Sequence, residues 1–235
     1  MKENRIILFD LGLSTLNLEE TLGEILKKVG EKKGGRIYCC TLNEAVMASE
    51  DKFFKNLLNQ GDVLTADGMP LVWLMKFRGV GAQRVYGPDL LKEFLILNKK
   101  GKIKCLFIGN KKNKDYFEHF GKYLIAPYKK KFTNNDFNKI AERVKKLEVD
   151  LVWVSLGGKK QVEVSNELSM RLSDKVFVTV GAAFDFLSGV KKQAPVWMRN
   201  WGLEWLFRLI SEPKRLWRRY FKIGCFLLNR MSNRG

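Results

Sequence analysis

The sequence predicts an α/β fold: a mostly parallel sheet with helices on both faces, followed by a helical C-terminal appendage. Three observations carry this. Short β-prone runs alternate with longer helical patterns some five times, the mark of a parallel sheet with helical crossovers. Several of those runs end on glycine, as at Gly109, Gly157 and Gly181, where the chain turns from strand into helix. Composition then shifts near Gly189, which divides the chain into an α/β body, 1–189, and a basic appendage, 190–235.

In chain order, Arg5–Phe9 reads as a strand. Asn17–Val29 is an amphipathic helix with Leu18, Leu22, Ile25, Leu26 and Val29 on one side, and Asn17 caps it with Glu20 three residues on. After the Gly34-Gly35 break, Arg36–Thr41 is a buried strand and Asn43–Leu58 one helix. Val63–Ala66 is a strand that delivers Asp67 to a turn on Gly68, and a helix follows with Pro70 in its first turn, where no intrahelical N–H bond is lost. Leu71–Phe77 continues that helix, Gly79–Gly87 is a loop, and Leu90–Leu97 is helical. Ile103–Ile108 is a strand, Tyr116–Tyr123 a helix, Ile125-Ala126 a short strand and Asp136–Lys146 a helix. Leu151–Leu156, the helix Gln161–Leu172 and the strand Val176–Val180 complete the body.

Charge sets the chain apart. Its 43 Lys and Arg against 25 Asp and Glu leave +18 over 235 residues, which calls for an anionic partner: nucleic acid, an acidic membrane surface or a phosphorylated substrate. Half of that surplus lies beyond Gly189, where eleven basic residues, Arg234 the last, face only Glu204 and Glu212. Past Pro213, Arg215, Arg218, Arg219 and Lys222 fall within a sector about 100° wide. Leu216, Trp217, Tyr220, Phe221, Ile223, Leu227 and Leu228 fill the other side, with Phe226 the misfit. A basic amphipathic helix with aromatics on its apolar face suits a membrane interface, and Trp217, Arg219, Tyr220, Phe221 and Lys222 are its candidate membrane residues. The bland reading is a terminal helix that docks on the sheet. Cys39, Cys40, Cys105 and Cys225 form no C-x-x-C pair and read as reduced core thiols. Lys2, Glu3 and Arg5 argue against a signal peptide, and no apolar run is long enough to span a bilayer, so a cytoplasmic protein is expected.

The absences narrow the chemistry. His119, the single histidine, reads as a surface helix residue, which leaves Ser–His and Cys–His schemes little support. There is no phosphate-loop motif and no Asp-x-Asp pair, so neither a metal nor another cofactor is expected, and arginines must meet any substrate phosphates. Polar residues at strand ends remain: Thr41, Asn43, Asp67, Arg84, Asp89, Gln161 and Asp185. In a parallel sheet such ends share one edge, where ligands bind, and without histidine a buried carboxylate is the natural general base. Each also has a structural reading. Asp67, Thr41 and Asn43 can cap the helices after them, and Asp185 can serve a turn.

The motifs Thr41-Leu42-Asn43, Ala66-Asp67-Gly68, Arg84 to Leu90, Leu156-Gly157 with Lys160-Gln161, Val180 to Asp185, Ala194-Pro195 and Trp201 to Arg208, then Pro213 to Tyr220, run in the order of one family. The chain resembles the WecG/TagA/CpsF bacterial glycosyltransferases over nearly its whole length. That family includes the N-acetylmannosaminyltransferases of wall teichoic acid and enterobacterial common antigen synthesis. The resemblance implies a Rossmann-like body whose appendage reaches the membrane and closes over the active site. It implies inverting, metal-independent transfer from a UDP-sugar to a polyprenyl-diphosphate-linked sugar at the cytoplasmic membrane face. On that pattern Asp67 matches the base, Thr41, Asn43, Arg84 and Gln161 match pocket residues, and Arg208, Arg215 and Arg218 match arginines that meet the donor diphosphate. Gln161 transfers least well, because Gly157-Gly158-Lys159-Lys160 lacks the proline frequent in the family. The donor sugar is not legible, and a homo-oligomer stays open. Two competing classes are a basic nucleic-acid-binding module, supported by net charge alone, and an inactive membrane scaffold.

Overall fold

The computed structural model describes residues 4–127, 129 and 132–232; Lys2, Glu3 and Arg234 lie outside them. The chain opens with β1 (Arg5–Leu8) and β2 (Leu11–Ser14), which pair antiparallel as a hairpin. The first expected strand is therefore not part of the main sheet, and its partner β2 went unread. Phe9 and Asp10 at the turn both take left-handed φ, 55° and 59°, the conformation a two-residue hairpin connection demands.

Then come α1 (Leu18–Glu31), β3 (Gly35–Cys40), α2 (Leu42–Glu50), α3 (Lys52–Asn59), β4 (Val63–Ala66), α4 (Met69–Phe77) and α5 (Gly87–Leu97). Asn17 and Glu20 form the expected capping box on α1. The single helix expected over 43–58 is two, because the Asp51 carboxylate accepts from the Phe54 N–H and starts a new helix. Next are β5 (Cys105–Gly109), α6 (Lys114–Phe117), β6 (Lys122–Ile125), α7 (Asn134–Lys146), β7 (Leu151–Val154), α8 (Gly158–Arg171), β8 (Val176–Thr179) and α9 (Ala183–Leu187). The helix expected over 116–123 stops at Phe117, and Tyr123 belongs to β6. Gly121 turns the chain between them against the β5 backbone, where a Cβ would sit 2.6 Å from the Cys105 carbonyl oxygen. His119 is exposed just past α6.

Six strands form one parallel sheet in the order β4-β3-β8-β7-β5-β6. Alternation along each strand sends side chains to two covered faces. Ile37, Cys39, Phe107, Trp153 and Val178 pack under α1, α5 and α9. Tyr38, Cys40, Leu64 and Ala66 pack on the other face, under α2, α3 and the hairpin. Leu106, Ile108, Val152 and Phe177 continue that face under α7 and α8. Cys39, Cys40 and Cys105 are buried as expected, whereas Cys225 is exposed.

Residues past Gly189 supply α10 (Val196–Asn200), α11 (Glu204–Ser211) and α12 (Pro213–Ser232), the first two unread in the sequence. α12 is docked and exposed at once. Leu216, fully buried, with Tyr220, Ile223 and Leu227, follows the i, i+4, i+7, i+11 rhythm of one inward stripe. Ile223, Phe226 and Leu227 pack on the core beside the hairpin, and the Phe226 ring meets Phe9 edge-on at 4.9 Å. The apparent misfit Phe226 is thus a docking residue. Trp217 and Phe221, 52% and 69% exposed, lie one position around the helix and stay outside. Among the described residues no helix is long and apolar enough to cross a membrane.

Candidate active site

β3 and β4 end side by side, and the ladder between them continues one residue further: the Asp67 N–H donates to the Cys40 carbonyl at 2.8 Å. The Asp67 carbonyl accepts from Arg84 Nε. With its backbone held at both ends, Asp67 has little freedom. Its side chain does not cap α4; Gly68 occupies the cap position without a side-chain bond. Asp67, 6% exposed, instead lines a cleft with a cavity volume of about 330 Å³.

Thr41 is the N-cap of α2 and forms a capping box with Glu44. Its hydroxyl accepts from the Asn43 N–H at 3.2 Å and donates to Glu44. The structural reading of Thr41 therefore holds, and both Thr41 and Asn43 also line the cleft beside Asp67. Arg84, Tyr86 and Pro88 form one side, from the segment entering α5, where Gly87 passes so near β8 that a Cβ would lie 2.9 Å from the Val180 oxygen. Glu204, Trp205 and Arg208 from α11 and Arg219, Tyr220, Ile223 and Leu227 from α12 form the opposite wall. The cleft is thus shared between sheet edge and appendage, and it changes from charged beside Asp67 to apolar along Ile223 and Leu227.

Burial raises the Asp67 carboxyl to about 7; the Arg84 cation opposes this, Glu204 and Glu44 add to it, and a hydrogen bond from the Gly87 N–H lowers it. Arg84 places its guanidinium 3.9 Å over the Tyr86 ring and 2.6 Å from Glu204. Arg219 is pushed down, first by burial, with Arg208 and Arg215 adding like charge. Such a group gains from an anion in the cleft. Among the described residues no three His, Cys, Asp or Glu side chains gather as a metal site.

Five of the eight expected catalytic and substrate residues come together in the cleft: Asp67, Thr41, Asn43, Arg84 and Arg208. Gln161 does not line it; its side-chain oxygen accepts from the Gly181 N–H at 3.1 Å and ties α8 to the β8 turn. Arg215 pairs with Glu212 at 2.5 Å and Arg218 lies over the Trp217 ring, both outside the lining. Asp89 pairs with Arg199, and Asp185 with Asn113 and Lys191, also outside it. Of the residues expected at the membrane, Arg219 and Tyr220 line the cleft, Lys222 pairs with Glu50, and Trp217 and Phe221 face outward. The reason is helical phase: the apolar sector of α12 is wide enough for two stripes, and docking takes one of them. Glu204 and Tyr86 were missed as site residues. Glu204 stood inside the motif from Trp201 to Arg208, and Tyr86 sits two residues after Arg84 in an extended segment, where side chains point the same way.

The family model described as glycosyl transferase WecG/TagA/CpsF family matches residues 6–234. The chain is 27% identical over 207 residues to the N-acetylglucosaminyldiphosphoundecaprenol N-acetyl-beta-D-mannosaminyltransferase of Bacillus subtilis (strain 168), covering 85% of this chain and 80% of that protein. It is 27% identical over 200 residues to the protein of the same name from Bacillus spizizenii, covering 82% of this chain and 77% of the relative.

Proposed function

This chain belongs to the WecG/TagA/CpsF family of glycosyltransferases, and from that premise we propose that it is a hexosyltransferase of bacterial cell-surface polymer synthesis. It moves N-acetylmannosamine or a related hexose from a UDP-sugar to a polyprenyl-diphosphate-linked sugar, by inversion and without a metal. The acceptor class follows the name the two Bacillus relatives carry. The observation that carries the chemistry is a buried Asp67, raised to about 7, in one cleft with Arg84, Arg208 and Arg219.

Asp67 takes the proton of an acceptor hydroxyl as that oxygen bonds to the anomeric carbon. The bond from that carbon to the UDP oxygen breaks, and its electron pair leaves with the diphosphate. A single displacement inverts the anomeric centre. Arg208 and Arg219 offset the charge that grows on the leaving group, the work a metal ion does in other sites. In this reading the exposed Trp217 and Phe221 rest in the inner face of the cell membrane, with Arg218 toward anionic headgroups, and present the cleft to the lipid acceptor.

A donor panel with a synthetic polyprenyl-diphosphate-GlcNAc acceptor tests the reading. UDP release and an inverted disaccharide lipid, undiminished by EDTA, are expected. Absence of UDP release with every donor would overturn the reaction, and loss of rate in EDTA would overturn metal independence.

A further inference from the structure

Arg84 stands between two carboxylates and favours one. Its Nε is fixed on the Asp67 backbone carbonyl, and a terminal nitrogen lies 2.6 Å from Glu204 Oε2 but 3.9 Å from Asp67 Oδ1. Glu204 wins because its other oxygen is also held: the Tyr86 hydroxyl donates to Oε1 at 3.0 Å and in turn accepts from Gln193 Nε2 at 3.1 Å. A second terminal nitrogen of Arg84 reaches toward the Arg199 carbonyl at 3.5 Å. Gln193, Arg199 and Glu204 all belong to the appendage. Docking of the appendage therefore decides where the Arg84 charge goes.

We propose that Glu204 is a positioning residue for the base: by drawing Arg84 onto itself, it keeps the Arg84–Asp67 ion pair long and so keeps Asp67 from being quenched by a close one. This rests on the reaction proposed above. A carboxylate in close contact with a guanidinium is a weak base. With the closer contact of Arg84 made to Glu204 and its nitrogen left 3.9 Å from Asp67 Oδ1, Asp67 keeps more of the proton affinity that extraction of a hydroxyl proton needs. Undocking of the appendage returns Arg84 to Asp67 and silences it, so activity is coupled to a closed cleft. The other charged groups facing Asp67 are Glu44 from α2 and Arg84 itself. Glu44 is engaged by the Thr41 N–H at 3.0 Å and by the Thr41 hydroxyl, neither of which moves with the appendage.

The test is the pH dependence of kcat for wild type, Glu204→Gln, Glu204→Asp and Tyr86→Phe. In Glu204→Gln the acid limb should move down by about one pH unit or more, as Arg84 swings to Asp67, and the plateau should fall roughly 3- to 10-fold through the weaker base. The donor KM should stay near wild type. Glu204→Asp keeps the charge and should keep the limb. A fall in kcat with the limb unmoved is what a merely structural Glu204 would give, and it overturns the proposal. If Glu204→Gln does not fold, Tyr86→Phe, which frees one oxygen of Glu204, must show a smaller shift of the same sign; an unmoved limb there overturns it equally. Should wild type turn over no donor, the reaction itself falls. Carboxyl NMR of Asp67 then decides this inference, and a midpoint that does not drop in Glu204→Gln defeats it.

Discussion

The Asp67 N–H donates to the Cys40 carbonyl at 2.8 Å, so the ladder joining edge strand β4 to its neighbour β3 runs past both of them to the proposed base. A side chain rooted in a sheet keeps its direction better than one on a free loop, because moving it would unzip a backbone hydrogen bond in the interior.

Asp67→Asn should therefore fold and lose about 10²- to 10⁴-fold in kcat, the usual worth of a general base. Retention of normal turnover would remove Asp67 from that role. The wild-type rate should itself fall as pH drops through about 7, where the carboxylate takes up a proton.

Stability should respond in the opposite sense. Burial pushes the folded carboxyl up from its ordinary 3.8 to about 7, so its stabilising contribution is full below 3.8 and is lost as pH rises through 7. At pH 8 the wild type carries a buried charge that Asp67→Asn removes. Thermal melts should show the variant more stable at pH 8, by up to about 4 kcal/mol from the size of the shift, and the two proteins close together near pH 4. Equal melting temperatures at pH 8 would mean the carboxyl is better compensated than its surroundings indicate.

The appendage arginines separate by position. Arg208→Ala and Arg219→Ala should each lower kcat about 10²-fold or more, as loss of one charge-stabilising donor does. Arg215→Ala and Arg218→Ala, whose side chains lie outside the cleft, should stay close to wild type. The reverse order in initial-rate measurements would show that the family pattern assigns the diphosphate ligands better than this geometry.

Neighbouring residues on α12 should behave unlike each other. Leu216→Ala empties a fully buried site and should cost about 2–5 kcal/mol in denaturant unfolding. Trp217→Ser with Phe221→Ser alters exposed positions and should leave stability nearly untouched. The pair should weaken sedimentation with anionic vesicles by about tenfold or more, given the apolar area each ring would bury in lipid. Unchanged vesicle binding would detach this stripe from the membrane.

Much of the body was legible because parallel strands announce themselves as short apolar runs closed by glycine. Val63–Ala66 was read to the residue, and Asp67 with it. Thr41 and Asn43 followed from the next strand end. The hairpin was harder, since Phe9-Asp10 is not a turn pair that sequence rules favour, and the ring of Phe9 is steadied by Phe226 from the far end of the chain. Gln161 stands near a strand end as well as in a motif, whereas Arg215 and Arg218 rest on the motif match, which ranks residues by order along the chain and says nothing of helical phase. Arg219 adjoins Arg218, and a 100° step of helix separates a cleft residue from a surface one. Glu204 stood inside the Trp201–Arg208 motif, but its role arises only from Arg84 and Tyr86, which meet it across the interface.

The cleft draws its floor from Thr41 and Asp67 and its last wall from Ile223 and Leu227. With α12 and α11 off the body, the acid at the sheet rim lies open to water, with Arg84 beside it and neither Arg208 nor Arg219 across from it. Shelter from solvent and the last wall thus arrive in a single docking event, so the sheet by itself is only half a chamber.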